Sequence, residues 1–393
     1  MAVTNSNAFN ISVVAPVTGL PSWVPSEGTF ANISLNTVAS ARPSGWPSTE
    51  PAGPFANWSG GVFASGFGAR GAYVVHGSGH LAQGTPVWAG VWCFDLDTRL
   101  WVGRNVPAAP LLEITANYNS FGESNQGSTV GHPYAPHTYD GLVYQSTTLG
   151  GTAPAGNLIR ISQAGGPFGS PIHQFNLNSA TSAPTRVVDA IGGTSYPAAA
   201  LDEGRGGLWY LSANGNGPLK FVNLSTWAVT TIAGVDYNEY GNHSLIYLPA
   251  PYDCLLGMGS SGSGGVNLGM YVSRIVAGVP QQFTQVAFSG TPPADRRCGG
   301  VWSTLLSKVV SYQAAGSTTV HKCTPPGTGA ALTSGTWAWS SETLSGVAGA
   351  TPSRNTTTDN GSWGRFIEAP DLRCFIWCDS VTGPVQAWRL MGM

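Results

Sequence analysis

Short apolar segments separated by polar turns run along most of the chain and predict a protein made of β-strands. Positions 91–94 (Val-Trp-Cys-Phe) are rich in β-forming residues, and the polar stretch at 95–98 is typical of a turn. A second apolar segment begins at position 100. This pattern predicts a β-hairpin in which Phe94 and Trp101 lie on neighbouring strands and pack together.

The same unit, a strand followed by a turn at Asp, Pro or Gly and then a strongly apolar strand, recurs along the chain. Six residues mark the apolar strands of these units: Tyr73, Val143, Trp209, Leu255, Val309 and Phe375. The intervals between them average about 60 residues, near the period of propeller blades with loop insertions. The sequence therefore predicts six four-stranded units, and a pair of β-sandwiches with the same strands is the alternative.

The first 50 residues differ from the rest of the chain. Two predicted strands, at 9–14 and 30–35, flank a connection rich in Pro, Gly and Ser, and a proline-rich stretch follows to residue 55. We expect residues 1–50 to form an N-terminal arm and linker, and residues 51–393 to form the main β domain. The N-terminal strands could pair beside the last unit, which would remove an open sheet edge.

Upstream of the 91–101 hairpin, positions 71–77 form another predicted strand that ends in glycine. The hairpin itself carries the pattern Phe-Asp-x-x-Thr-x-x-Trp from Phe94 to Trp101. These segments together resemble one blade of a kelch or galactose-oxidase-like β-propeller, although the usual glycine pair is replaced by Gly-Ser-Gly at 77–79. The resemblance implies an all-β, kelch-like β-propeller with six blades, or seven as the alternative. With the N-terminal segment, we expect a six-bladed propeller that carries an extended N-terminal arm.

The composition argues against two classes of partner. Charged residues are only 9% of the chain, against about 25% in typical domains, and the 17 Lys and Arg residues form no basic stripe. We therefore expect no nucleic-acid binding. No apolar run of about 18 residues and no signal peptide is visible, so we expect neither a membrane span nor secretion.

Galactose-oxidase-like propellers include copper-radical enzymes with Tyr and His ligands near the axis. His137 and His243 both open predicted innermost strands, and Tyr139 lies close to the first of them. The family's copper centre also requires a Tyr crosslinked to a Cys, and Cys298 is the only cysteine at a comparable strand start. We therefore expect these histidines to cap strands or form hydrogen bonds in the channel, with no metal and no other cofactor.

Glycan cleavage requires two carboxylates placed across a sugar. Six aspartates are accounted for by turns: Asp95, Asp97, Asp140, Asp202, Asp253 and Asp371. The remaining candidates are Glu113, Glu123, Asp236, Glu239 and Glu368. No sialidase-type box and no nucleophile elbow accompanies them, so the pattern does not favour catalysis.

Aromatic residues are the better candidates for binding. Trp302 and Trp363 follow glycine-containing segments at corresponding points of two innermost strands. They either pack between blades or form a surface on which a sugar or protein partner stacks. The predicted binding residues are therefore Trp302, Trp363, His137, His243 and Tyr139.

No strong catalytic pattern is present, so the sequence favours a non-enzymatic binding or structural protein. Low charge, strands rich in Gly, Ser and Thr, and a proline-rich arm are typical of bacteriophage particle proteins such as decoration, fibre-associated or receptor-binding components. Such a protein is made in the host cytoplasm without a signal peptide and then joins the virion. The arm would dock to a virion scaffold protein, and the propeller would contact protein or a surface glycan. The alternative is a propeller enzyme, either copper-dependent or glycan-cleaving.

Overall fold

The computed structural model describes residues 19–46, 54–55, 59–77, 86–109, 111–112, 138, 140–161, 171–189, 191, 197–212, 217–237, 244–260, 268–294, 299–312, 316–352 and 362–393. These residues form an all-β fold in which six sheets are arranged as the blades of a propeller. The predicted all-β, six-bladed architecture is confirmed.

Helical structure in the described part of the chain is confined to single turns. The α-helical turns are Val38–Ala41 and Ala331–Ser334, and the 3₁₀ turns are Thr147–Leu149, Glu203–Arg205, Val347–Gly349 and Pro370–Leu372. None of the described helices is long and apolar enough to cross a membrane.

Blades 1 to 3 each contain four antiparallel strands that follow one another from the axis outward. The strands of blade 1 are Gly60–Ala64, Ala72–His76, Val91–Asp95 and Leu100–Arg104. The strands of blade 2 are Leu142–Gln145, Asn157–Ile161, Ile172–Asn176 and Thr185–Val188. The strands of blade 3 are Pro197–Asp202, Gly207–Ser212, Gly217–Asn223 and Val229–Tyr237. A short ladder also joins Pro86–Val87 to Leu111–Leu112.

Blades 4 to 6 carry additional short strands at their outer edges. The strands of blade 4 are Ser244–Leu248, Cys254–Ser260, Leu268–Val276, Val279–Pro280 and Thr284–Gln285. The strands of blade 5 are Gly300–Ser303, Lys308–Ser311, Thr319–Thr324, Trp337–Thr343 and Phe288–Ser289, the last of which runs parallel to its neighbour. The strands of blade 6 are Ile367–Ala369, Cys374–Trp377, Gln386–Arg389, Thr29–Asn32 and Ser345–Gly346.

The innermost strands make a closed ring, since each contacts the innermost strand of the next blade and blade 6 contacts blade 1. Each innermost strand pairs with a neighbour on one side only. Its other edge therefore faces the propeller axis, where hydrogen bonds link neighbouring blades, such as the bond from Ala199 N to the backbone oxygen of Asp140. This arrangement creates the site described below.

The two ends of the chain meet in blade 6. Thr29–Asn32 pairs antiparallel with Gln386–Arg389. Phe30 stacks on Trp388, with ring centroids 4.3 Å apart and planes inclined by 11°. The second of the two predicted N-terminal strands thus supplies the fourth strand of blade 6. Residues 29–32 of the segment predicted as an arm lie within the propeller.

The segment after this strand packs between blades 6 and 1. Phe55 meets Trp101 edge-on at 5.8 Å, and Trp46 meets Trp92 at 6.5 Å. Trp88 lies 5.2 Å from Trp92 and is fully buried. We use the name closing seam for the pairing of 29–32 with 386–389 together with this aromatic cluster. Large rings contribute much of the buried apolar surface in such a core.

The repeat deduced from the sequence is correct in five blades and out of phase in one. The hairpin at 91–101 forms as predicted, with Phe94 opposite Trp101 and the ring centroids 5.4 Å apart. Val143, however, lies in the innermost strand of blade 2 rather than the second strand. Residues 146–156 separate the first two strands of this blade and form a longer connection than those in the other blades. The apolar strand Asn157–Ile161 is the second one.

Candidate binding site on the propeller axis

A cavity of about 780 Å³ lies on the axis, lined by innermost strands of five blades. We call it the axial cavity. Several of the residues that face it are very small: Gly61, Ala199, Ala200, Gly300 and Gly364. Because side chains of this size cannot fill the centre of the ring, the axis remains open. The volume suits a small ligand or part of a larger one.

Asp140 supplies a carboxyl group to this cavity. It precedes the innermost strand of blade 2, and its backbone oxygen accepts from Ala199 N of blade 3 at 2.9 Å. One carboxyl oxygen, Oδ2, accepts hydrogen bonds from Ser244 Oγ and, at 3.0 Å, from Leu245 N of blade 4. No described residue donates to the other oxygen, Oδ1. The carboxyl is thus fixed through Oδ2, while Oδ1 lies next to Gly364 and receives no hydrogen bond from the described residues.

Two glycines of blades 5 and 6 make room for this arrangement. Gly364 has a φ of +70°, and a Cβ atom there would lie 2.6 Å from Oδ1 of Asp140. A Cβ atom on Gly299 would lie 2.0 Å from the backbone nitrogen of Gly364. Any larger residue at either position would displace the neighbouring group, and position 364 also requires the left-handed backbone that glycine adopts without strain.

Burial raises the pKa of Asp140 to about 7, because the surrounding protein disfavours the charged form more than the two hydrogen bonds favour it. Among the described residues that line the cavity there is no lysine, arginine or histidine. The cavity contains two further carboxyl groups, Glu203 and Glu368. The described lining residues therefore contribute acidic groups and no basic ones.

Glu368 is buried, and both of its carboxyl oxygens accept hydrogen bonds, in contrast to those of Asp140. Its Oε1 accepts from Ser303 Oγ, and its Oε2 accepts from Thr304 N at 3.0 Å. Burial raises the pKa of Glu368, and these hydrogen bonds oppose the effect. Since Ser303 and Thr304 belong to blade 5, Glu368 joins the inner ends of blades 5 and 6. Glu203, by comparison, is exposed at the cavity mouth.

Aromatic side chains lie along one side of the cavity. Trp302 lines it and is half-buried, and its ring meets Tyr252 edge-on at 5.1 Å. The ring of Tyr247 also faces the cavity, while its hydroxyl donates to Asp253 at 3.0 Å. Arg205 forms an ion pair with Asp253 at 2.8 Å and so fixes this group at the rim. The rings are held in place by neighbours outside the cavity.

Trp363 does not share this exposure. Its side chain is 1% exposed, and its backbone adopts a left-handed conformation with a φ of +43°. It is part of the wall behind Gly364, within the packed interior of the ring. Of the two tryptophans predicted to bind, the structure places Trp302 in the cavity and buries Trp363.

The other predicted binding residues, His137, Tyr139 and His243, lie outside the described residues, as do Glu113, Glu123 and Cys298. Asp140 was predicted to be a turn residue, and the structure corrects this. Its partner Ser244 is 104 residues away in sequence and meets it only when the ring closes. A single polar residue just before an apolar strand gives no sequence signal for this role.

A second buried polar group joins blades 1 and 2 away from the axial cavity. His76 Nδ1 lies 3.0 Å from the carbonyl oxygen of Gly90, so it carries the proton and donates. Arg160 donates to His76 Nε2 at 2.9 Å and to His173 Nδ1 at 3.1 Å. Burial, reinforced by Arg160, lowers the pKa of His76 to about 3. His76 is the buried last residue of the strand Ala72–His76.

Within the described ranges, no group of three or more His, Cys, Asp or Glu side chains is placed to hold a metal ion.

No family model and no curated protein matches the chain. The Malassezia sympodialis allergen Mala s 1 is 11% identical over 80% of this chain and 91% of its own, with a TM-score of 0.44. An auxiliary nutrient binding protein from Bacteroides thetaiotaomicron is 12% identical over 78% of this chain and 69% of its own, with a TM-score of 0.40. An exo-β-1,3-galactanase from Phanerochaete chrysosporium with β-1,3-galactotriose is 12% identical over 68% of this chain and 55% of its own, with a TM-score of 0.37. At this level of similarity the matches carry no argument about function.

Proposed function

We propose that this propeller is a non-enzymatic binding protein that holds part of a glycan in its axial cavity. The observation that carries the proposal is the cavity of about 780 Å³ with the half-buried Trp302 on its wall and Asp140 at its inner end. Sugars present C–H faces that stack on aromatic rings and hydroxyl groups that donate to carboxylates. Both kinds of partner are available in this one cavity.

The cavity also offers backbone groups. Innermost strands of five blades line it, and each has one edge without a paired strand. Some N–H groups of these edges already donate within the protein, as those of Ala199 and Leu245 do to Asp140, and the remaining N–H and C=O groups can bond to a ligand. A polyhydroxylated ligand can use donors and acceptors together, whereas a purely apolar ligand would leave them without hydrogen bonds.

We propose further that the protein is a component of a bacteriophage particle with a role in host attachment. The low charge and the Gly-, Ser- and Thr-rich composition support this role. The kelch-like pattern at 94–101 supports a propeller, which the particle would display on its surface. Anchoring to a virion scaffold protein would use residues before Thr29, by strand addition. Co-sedimentation of the full chain, and of a chain lacking residues 1–18, with phage particles that lack this protein tests the idea. Binding that does not depend on these residues would contradict the anchor.

A glycan array probed with the full chain tests glycan binding directly. Trp302→Ala should lower affinity for any glycan bound, by about 10-fold or more, because it removes the stacking surface. Trp227→Ala is the matched control, since Trp227 is also half-buried but lies in the outer part of blade 3. Equal affinity of both variants and the unchanged chain would place the glycan elsewhere and contradict the proposal.

Glycan cleavage is the second candidate, and one observation favours it. A carboxyl group that faces a cavity and has a pKa of about 7 is suited to act as a general acid. If the protein cleaves the glycan it binds, mass spectrometry will detect shorter products with the unchanged chain and not with Asp140→Asn. Recovery of intact glycan in both cases supports binding alone.

A further inference from the structure

The side chains that could carry charge among the described cavity-lining aspartate, glutamate, lysine, arginine and histidine positions are all carboxyl groups. Asp140, Glu203 and Glu368 line it, and no described lining residue is a lysine, arginine or histidine. An anionic ligand would meet only like charge from these side chains, and solvent would screen that of Asp140 and Glu368 less than that of the exposed Glu203. A cationic ligand would instead gain from all three groups. The net charge of the whole chain, −2, is too small to favour cationic over anionic ligands. A preference of this kind would arise from the groups that line the cavity.

The three carboxyl groups are not equivalent in their capacity to bind. Both oxygens of Glu368 already accept hydrogen bonds from blade 5. Glu203 is exposed at the mouth, where water competes for it. Asp140 alone combines a fixed position with an oxygen, Oδ1, that no described residue contacts through a hydrogen bond.

The geometry at Asp140 favours a charged donor over a neutral one. Ser244 Oγ and Leu245 N hold Oδ2, so the carboxyl plane is set before a ligand arrives. Gly364 leaves the space next to Oδ1 without a side chain. A hydrogen bond to a carboxylate from an ammonium group is stronger than one from a hydroxyl, and it also compensates the charge that burial disfavours.

We propose that the axial cavity binds a sugar that carries a free, protonated amino group, which donates to Asp140 Oδ1, and that it rejects sugars bearing carboxylate or sulfate. This inference rests on the proposed glycan-binding function and specifies the glycan. The amine is recognised by Asp140, and the remaining part of the sugar stacks on Trp302. An N-acetylated amino sugar carries no positive charge, so it cannot form the charge-assisted hydrogen bond to Asp140.

Isothermal titration of the full chain with three tetrasaccharides of the same β-1,4 backbone tests the inference. The probes are a glucosamine tetramer, an N-acetylglucosamine tetramer and cellotetraose, which place an ammonium, an acetamide or a hydroxyl at the same carbon. The ammonium form should bind about 10- to 100-fold more tightly, the factor that a charge-assisted hydrogen bond supplies. Asp140→Asn should abolish the difference. Asp189→Asn is the matched control, because its carboxylate is 93% exposed and lies outside the cavity.

Proton release gives a second readout that needs no variant. Near pH 6 Asp140 is mostly protonated in the empty cavity, since its pKa is raised to about 7. Binding of an ammonium group requires the ionised carboxylate, so about one proton should be released for each ligand bound. Titrations in two buffers of different ionisation enthalpy measure this number. Binding of cellotetraose should release none.

The outcomes separate this inference from the proposed function. Preference for the glucosamine tetramer that disappears in Asp140→Asn supports the inference. Equal or tighter binding of the neutral tetramers overturns it and leaves glycan binding intact. If no glycan on the array or in the titrations binds, both proposals fail.

Discussion

The closing seam and the axial cavity belong to the same ring but are packed in opposite ways. In the closing seam, large rings such as Trp88 and Trp388 are completely buried and contact other rings. On the axis, several lining residues are glycine or alanine and a volume of about 780 Å³ remains open. The closing seam buries a large apolar area, which stabilises the fold. The axis buries less apolar area and retains a cavity.

The difference teaches that stability and binding are separated in space. Substitutions in the closing seam should lower the free energy of unfolding with little direct effect on the cavity. Substitutions on the axis should change ligand binding or its pH dependence while the ring remains folded. The following predictions test this separation, beginning with the largest expected effect.

Deletion of residues 1–32 should have the largest effect. It removes the strand Thr29–Asn32 and the ring that stacks on Trp388, and it exposes the edge of Gln386–Arg389. We expect loss of cooperative thermal unfolding or aggregation, measured by calorimetry and light scattering. Deletion of residues 1–18 removes no residue of the described sheet and should leave Tm unchanged. An unaltered Tm for the longer deletion would contradict a stabilising role of the closing seam.

Trp388→Ala should destabilise the protein by about 3–5 kcal/mol, because truncation of a buried Trp loses burial and leaves a cavity. Trp302→Ala, on the half-buried axial side, should cost only about 1–2 kcal/mol while weakening ligand binding. Urea denaturation at constant m-value gives both numbers. Equal costs for the two variants would argue that the axis contributes to stability as much as the edge does.

Asp140 should make stability fall as pH rises. Its pKa in the folded protein is about 7, above the ordinary value of 3.8, so the folded state holds the proton more tightly than the unfolded state. The stabilisation is complete below about pH 3.8 and is lost as pH rises to about 7. Asp140→Asn should therefore be more stable than the unchanged chain at pH 8, by about 1–3 kcal/mol. Urea midpoints at pH 4 and pH 8 measure this, and a constant difference between the two pH values would contradict it.

His76 should act in the opposite direction. Its pKa falls from 6.5 to about 3 on folding, so the unfolded state takes up the proton first and stability decreases as pH falls over that range. His76→Gln should remove this dependence, with a change in slope of at most about 1.4 kcal/mol per pH unit. Because Asp140 and His76 titrate over nearly the same range with opposite signs, the unchanged chain should vary less between pH 4 and 6.5 than either variant. A steeper dependence in the unchanged chain would contradict this cancellation.

The sequence was sufficient for the architecture because that depends on local patterns. Alternating apolar strands, glycine and aspartate turns, and the pair Phe94 and Trp101 each involve neighbouring residues, so they are visible along the chain. Val143 was a wrong marker because it lies in the innermost strand of blade 2, which is as apolar as the second strands of the other blades. A strand is apolar because it is buried, so its composition does not reveal its place in the blade.

The candidate site was much less visible, because closure of the ring creates it. Trp302 could be found from its place after two glycines at the start of an innermost strand. Asp140 could not, since Ser244, Leu245 and Gly364 come from two other blades. Trp363 has the same local pattern as Trp302 but is buried, so exposure cannot be deduced from a motif alone.

The meeting of the two chain ends in blade 6 has a consequence for biosynthesis. Thr29–Asn32 is made early, but its partner Gln386–Arg389 is translated only after the other five blades. At about 5–20 residues per second, the early strand waits roughly 20–70 s for that partner. Throughout this period the nascent protein exposes a row of unpaired backbone groups. Emergence of Gln386–Arg389 from the ribosome is thus the event that permits the ring to close, and partial translation products that lack this strand should be the species most dependent on chaperones.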